Sequence, residues 1–134
     1  MDEELLLNGH NADVNCVALQ SNGHVASGSC YGSIIIHSTS SNKVEYQADN
    51  VFAGGVNGLC YLLDGSLVAC GSDGIGVTST HFKILSPSLE LVQTLVGHDG
   101  SVFCVTVSPS GSHIASCGWD AKVMIWSESG EGGE

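Results

Sequence analysis

The chain has 134 residues, 14 of them Asp or Glu against 3 Lys or Arg, for a formal charge of −11. With 43% hydrophobic and 13% charged residues it is no disordered acidic tail, and its length suits one ordinary domain. Three cations cannot neutralise a run of phosphates, so nucleic acid and anionic membrane are poor partners and a neutral or basic protein surface is a better one; the same acidity also serves plain solubility.

The N-terminal stretch MDEELLLNGH is acidic and its apolar run is three leucines long, so it does not read as a secretory signal. No later run approaches the roughly 18 apolar residues that span a bilayer. The expected setting is a reducing compartment, cytoplasmic or nuclear, with reduced thiols. No cysteine pair is spaced C-x₂-C, and Cys16, Cys60, Cys70, Cys104 and Cys117 all fall in apolar β-type runs. They are expected as core residues, with no metal and no cofactor.

Taken in chain order, a strand candidate at Glu3–Leu7 precedes GHNADVNCVALQSNGHVASGSCYGSIIIH, Gly9 to His37. A second candidate, Val44–Ala48, precedes FAGGVNGLCYLLDGSLVACGSDGIGVTS, Phe52 to Ser79. A third, Leu91–Val96, precedes GHDGSVFCVTVSPSGSHIASCGWDAKVMIW, Gly97 to Trp126. The first and third long stretches superpose with one single-residue gap: Val14 on Val102, Cys16 on Cys104, His24 on His113, Ala26-Ser27 on Ala115-Ser116. Their starts lie 88 residues apart, two periods of about 44, and the middle stretch falls where a third copy should begin. It carries Val56, Ala69 and Asp73 at matching places.

Each copy reads as three short strands, such as Val102–Val107, His113–Cys117 and Lys122–Trp126, separated by Gly, Ser, Asn and Asp turns. With the strand ahead of it, each copy makes four strands and no helix, which is the unit of a propeller blade. Gly97-His98, Ser116, Trp119-Asp120 and Trp126 carry the pattern further: the chain resembles the WD-repeat family from Glu3 to Trp126. The expected fold is all-β, three WD-repeat blades of four antiparallel strands each, at about 3–43, 44–89 and 90–126. An acidic, Gly-rich disordered tail is expected at 127–134. Three blades do not close a ring, so closure is expected from oligomerisation or from further blades. The leading strand of one chain is a candidate to complete the last blade of another, giving a dimer or trimer ring.

Ser, His and Asp in the third copy also suggest a hydrolase triad. The resemblance implies instead a structural hydrogen-bond network of His98, Ser116, Asp120 and Trp126. An indole only donates, a hydroxyl and a neutral imidazole do both, and a carboxylate only accepts, so the four satisfy one another. No nucleophile-elbow sequence surrounds Ser116. The first copy keeps His10 and Ser27 but has Tyr31 and His37 in place of Asp and Trp. In the second, Phe52 and Cys70 are read at the His and Ser positions. His24 and His113 read as exposed turn histidines, not as a metal pair, and GSDGIG (71–76) as a turn, not a phosphate loop.

The resemblance further implies a non-catalytic protein-binding scaffold that recognises partners on its top face. By register the exposed positions there are Asp13, Asn15 and Cys30, then Gly55, Asn57 and Ser72, then Ser101, Phe103 and Trp119. Phe103 and Trp119 are the candidate anchors, because exposed aromatics anchor interfaces. The stretches VFAGGVNGLCY, ACGSDGIGVTSTHF, LVGHDGSV and GWDAKVMIW are similar to the first blades of the ubiquitin-fusion-degradation/phospholipase-activating WD-repeat family, which implies ubiquitin or a similar small protein as partner. The alternatives are blades with a purely structural role in a larger assembly and, remotely, a Ser/His/Asp hydrolase.

Overall fold

The computed structural model describes residues 2, 4–72 and 80–127. Among the described residues eleven strands form three antiparallel sheets, and there is no helix. The first sheet runs β1 (Val14–Leu19), β2 (His24–Ser29), β3 (Ile34–Ser38), β4 (Lys43–Ala48), each paired with the next. The second runs β5 (Val56–Tyr61), β6 (Leu67–Gly71), β7 (Thr80–Leu85), β8 (Leu91–His98). The third has β9 (Val102–Val107), β10 (His113–Gly118) and β11 (Val123–Ser127).

Alternation explains the layering. A strand turns successive side chains to opposite faces, and both faces of the middle sheet are apolar. One face carries Val56, Leu59, Leu67, Ala69 and Leu85 against Ala26, Ile34 and Ile36 of the first sheet, with Phe52 plugging the junction. The other carries Val68, Cys70 and Phe82 against Val102, Val105 and Ile114 of the third. The second sheet therefore sits between the other two, with β1, β5 and β9 side by side as successive inner strands. Neither outer face is covered in the same way. Val17 and Leu19 are exposed on the first sheet, and Val123 (74%) and Ile125 (64%) on the third.

Two strand expectations change. The strands ahead of the second and third copies exist, but each closes the preceding sheet: β4 pairs with β3, and β8 with β7. The candidate at Glu3–Leu7 forms no strand over its described residues 4–7, and residues 8–10 form none either. Asn8–His10 instead lie on the first sheet. The Asn8 carbonyl accepts from His37 Nε2 at 2.7 Å, and His10 Nε2 sits 2.7 Å from Ser27 Oγ. No fourth strand joins the third sheet among the described residues.

Register in the second sheet corrects one assignment. Leu59 faces Ala69 and Gly58 faces Cys70, as Val17 faces Ser27 and Val105 faces Ser116. The residue at the Ser position is therefore Ala69, not Cys70. A slip of one residue moves a side chain to the other face of the sheet, and Cys70 is buried against the third sheet. The cysteines diverge as well. Cys70 is buried, Cys16, Cys60 and Cys117 are half-buried, and Cys104 is exposed. Burial pushes the Cys16 thiol up to about 11 and the Cys60 thiol up to about 12, and raises Cys70 as well, which keeps these three protonated packing groups.

Candidate functional site

The network of the third copy is assembled from two sheets. His98 ends β8, Ser116 lies in β10, Trp126 in β11 and Asp120 in the β10–β11 turn. Trp126 Nε1 donates to Ser116 Oγ at 2.9 Å, Ser116 Oγ lies 2.8 Å from His98 Nε2, and His98 Nδ1 lies 3.0 Å from Asp120 Oδ2. A carboxylate only accepts, so the ring hydrogen of the neutral imidazole sits on Nδ1 facing Asp120, and Nε2 then accepts from the Ser116 hydroxyl. The backbone N–H of Asp99 donates to Asp120 Oδ2 at 3.0 Å and that of Lys122 to Oδ1 at 3.2 Å. The Asp99 amide foremost, then the His98 and Lys122 hydrogen bonds, hold the Asp120 carboxyl down at about 2 against its partial desolvation.

Packing fixes these groups. The Trp126 indole stands edge-on to Phe82, centroids 4.9 Å apart. It also lies over Gly97, where a Cβ would come within 2.7 Å of its ring. The Gly of the Gly-His pair is thus required by close approach. The side chains of His98 and Asp120 are 1% and 6% exposed, and Ser116 is buried. No reactant reaches a hydroxyl closed between an indole and an imidazole.

The other copies use the same places differently. His37, at the Trp position, turns to the Asn8 carbonyl and leaves Ser27 to His10. Burial, chiefly, lowers the pKa of His10. Tyr31, at the Asp position, is exposed. Asp73 and most of GSDGIG lie outside the described residues. His24 and His113 open β2 and β10, on sheets separated by the second.

The top-face candidates divide into two kinds. Asn15 Nδ2 donates to the Val56 carbonyl at 3.1 Å and Asn57 Nδ2 to the Val102 carbonyl at 3.0 Å. Each asparagine thus staples its inner strand to the next sheet, a role that spacing within one copy cannot reveal. The Cys30 amide donates to the Asp13 carbonyl, the Ser72 amide to the Gly55 carbonyl and the Trp119 amide to the Ser101 carbonyl, which ties the two turns of each copy together. Phe103 occupies the asparagine position of the third sheet, with Trp119 beside it. Their rings meet edge-to-face at 5.7 Å, and they are 45% and 75% exposed.

Comparison with known proteins agrees with this geometry. The family model described as WD domain, G-beta repeat matches residues 3–38 and 89–127, more than half of the chain. The chain belongs to the WD40-repeat family. It is 39% identical over 89 residues to the ribosome biogenesis protein WDR12 homolog of Chlamydomonas reinhardtii, covering 61% of this chain and 19% of that protein. It is 44% identical over 64 residues to the protein transport protein SEC13 of Chaetomium globosum, 46% of this chain and 21% of that one. SEC13-2 of Candida glabrata is 41% identical over 73 residues, 51% of this chain and 23% of its own. The chain thus spans about a fifth of the length of these relatives.

Proposed function

We propose that this chain is a non-catalytic protein-interaction scaffold whose recognition patch is the Phe103–Trp119 pair, with Ser101, Asp13, Cys30 and Ser72 on the same rim. The observation that carries the reading is the pair itself. Where the first two sheets place an asparagine bonded to the next sheet, the third presents an aromatic ring set edge-to-face against a largely exposed indole. Large, rotamer-poor aromatic side chains of this kind anchor protein interfaces. A non-enzymatic reading is supported by the closed Ser116 site, whose hydroxyl is fully engaged and buried.

The partner we propose is ubiquitin or a similarly small protein, on the strength of the resemblance of the repeats. A protein partner is also in keeping with relatives named for ribosome biogenesis and protein transport. Titrating labelled chain with ubiquitin tests both levels. Shifts confined to Phe103, Trp119 and their rim, lost in F103A/W119A while the remaining spectrum is retained, support the reading. Shifts elsewhere sink the patch, and no shifts at all remove ubiquitin.

A second reading is favoured by the two open sheet faces, with Val17 and Leu19 at one end and Val123 and Ile125 at the other. In it these blades complete a larger ring, with copies of themselves or with another chain's blades, and Phe103 packs against the neighbour. Native mass by light scattering separates the cases. A defined dimer or trimer supports closure by copies, and a monomer points to blades from elsewhere.

A further inference from the structure

Asparagine stands directly before glycine at Asn8-Gly9, Asn22-Gly23 and Asn57-Gly58. Such a pair can modify itself. The glycine amide nitrogen, once deprotonated, attacks the asparagine side-chain carbonyl carbon and expels ammonia as a succinimide ring closes. Glycine permits the approach because it has no Cβ and its backbone turns freely. In sequence the three pairs are alike; in the fold they are not.

Asn57 is locked. Its Nδ2 donates to the Val102 carbonyl at 3.0 Å, and Gly58 is buried opposite Cys70. Turning that side chain onto the Gly58 nitrogen would break the bond to the third sheet. In the β1–β2 turn the Gly23 amide donates to the Gln20 carbonyl at 2.9 Å, and Asn22 Oδ1 accepts from the His24 amide at 3.0 Å. A Gly23 nitrogen stripped of its hydrogen would face a carbonyl oxygen, so the turn must open before the ring can close.

Asn8-Gly9 has neither restraint. Both residues are exposed, and among the described residues neither the Asn8 side chain nor the Gly9 amide makes a hydrogen bond. The bond this pair does make is to the peptide that must react: His37 Nε2 donates to the Asn8 carbonyl at 2.7 Å. Deprotonating the Gly9 nitrogen spreads negative charge onto that oxygen, and a fixed donor from the buried His37 ring stabilises it as an oxyanion hole would. Exposure at this place is a property of the repeat. Val96, its counterpart in the third copy, is paired with His81 in the second sheet and is still 61% exposed.

We propose that Asn8 is a site of intramolecular deamidation, promoted by the hydrogen bond from His37. Water is the only co-reactant. The bond from Gly9 N to Asn8 Cγ forms, the Cγ–Nδ2 bond breaks, and Nδ2 leaves as ammonia with the proton taken from Gly9. Water then opens the ring, giving isoaspartate by attack at the backbone carbonyl and aspartate by attack at Cγ. Isoaspartate routes the chain through the side-chain carbon and displaces the carbonyl that His37 holds. The clasp of Asn8–His10 on the first sheet, including the 2.7 Å His10–Ser27 contact, would then come loose. The modification acts as a slow, one-way release, and it stands whether or not the aromatic pair binds a partner.

The folded full chain is aged in mildly alkaline buffer, alkylated, and digested with endoproteinase Asp-N, which cuts before aspartate but not before isoaspartate. Cuts before Asp2, Asp13, Asp49 and Asp64 place Asn8 in residues 2–12, Asn22 in 13–48 and Asn57 in 49–63. The expected products are peptide 2–12 with its side-chain NH₂ replaced by OH and uncut at residue 8, and a smaller share cut there. Asn8 should convert at least about tenfold faster than Asn22 or Asn57, part of what a fixed oxyanion donor supplies. In urea the three rates should converge. His37→Phe, checked for retained fold by circular dichroism, should slow Asn8 and leave Asn22 unchanged. The ranking in the unaltered chain needs no variant to fold. Asn22 or Asn57 converting as fast as Asn8, the same ranking in urea, or an unchanged Asn8 rate in folded His37→Phe overturns the proposal.

Discussion

Trp126 donates its indole N–H to Ser116 at 2.9 Å while lying over Gly97, so one side chain joins the last strand of the third sheet both to its neighbour and to the second sheet. Trp126→Phe keeps an aromatic against Phe82 but removes the donor and part of the ring. We expect a loss of about 1–3 kcal/mol, from one hydrogen bond plus reduced packing, read from urea unfolding. An unchanged midpoint would show that the relay is dispensable here.

Gly97→Ala tests close approach in isolation. No left-handed backbone is involved, yet the new methyl would meet the Trp126 ring at 2.7 Å and Met124 Sδ at 3.2 Å. Overpacking of this kind costs about 1–3 kcal/mol. In the double variant with Trp126→Phe the penalty should shrink, because the clashing part of the ring is gone; purely additive effects would argue against the contact.

Acid should weaken the third sheet through Asp120. Its folded carboxyl sits near 2, below the ordinary value of about 3.9. A depressed carboxyl contributes stability that is present above the unfolded value and lost as pH falls through the folded one. The loss is therefore expected between about pH 4 and pH 2. Asp120→Asn should be less stable at neutral pH and show a flatter decline over that window; parallel curves for the two proteins would remove Asp120 as the cause.

Tyr61 carries a buried hydroxyl with no hydrogen-bond partner among the described residues, and burial pushes its pKa up to about 12. Deleting the oxygen removes a desolvated polar atom that makes no bond. Tyr61→Phe is expected to stabilise by up to about 1 kcal/mol, seen as a higher Tm. A lower Tm would reveal a partner for that hydroxyl.

Asn57→Ala should cost about 1 kcal/mol, by leaving the Val102 carbonyl without its side-chain donor. The variant should retain whatever partner binding Phe103 and Trp119 supply. Lost binding with intact stability would return Asn57 to the recognition surface.

The repeat was legible because its cues are local. Alternation and turn residues marked β9 at Val102–Val107, and the Gly-His, Ser, Asp and Trp of one copy named the four groups that meet in space. The Ser position of the second copy falls on Ala69 and not on Cys70, and the sequence cue to that is the four-residue spacing that separates Ser116 from Asp120 and Ala69 from Asp73. Inter-sheet bonds were hidden: Asn15 and Asn57 look like exposed rim residues until the next sheet supplies a carbonyl 41 and 45 residues away.

By itself the sequence determined the all-β class, the period and the residues of the network, because strand period, turn chemistry and donor-acceptor complementarity act over a few residues. Only the tertiary structure decided which sheet each fourth strand closes and that Asn8–His10 clasp the first sheet instead of forming a strand. Those outcomes depend on which sheet faces which, and packing between distant segments settles that where local propensity cannot.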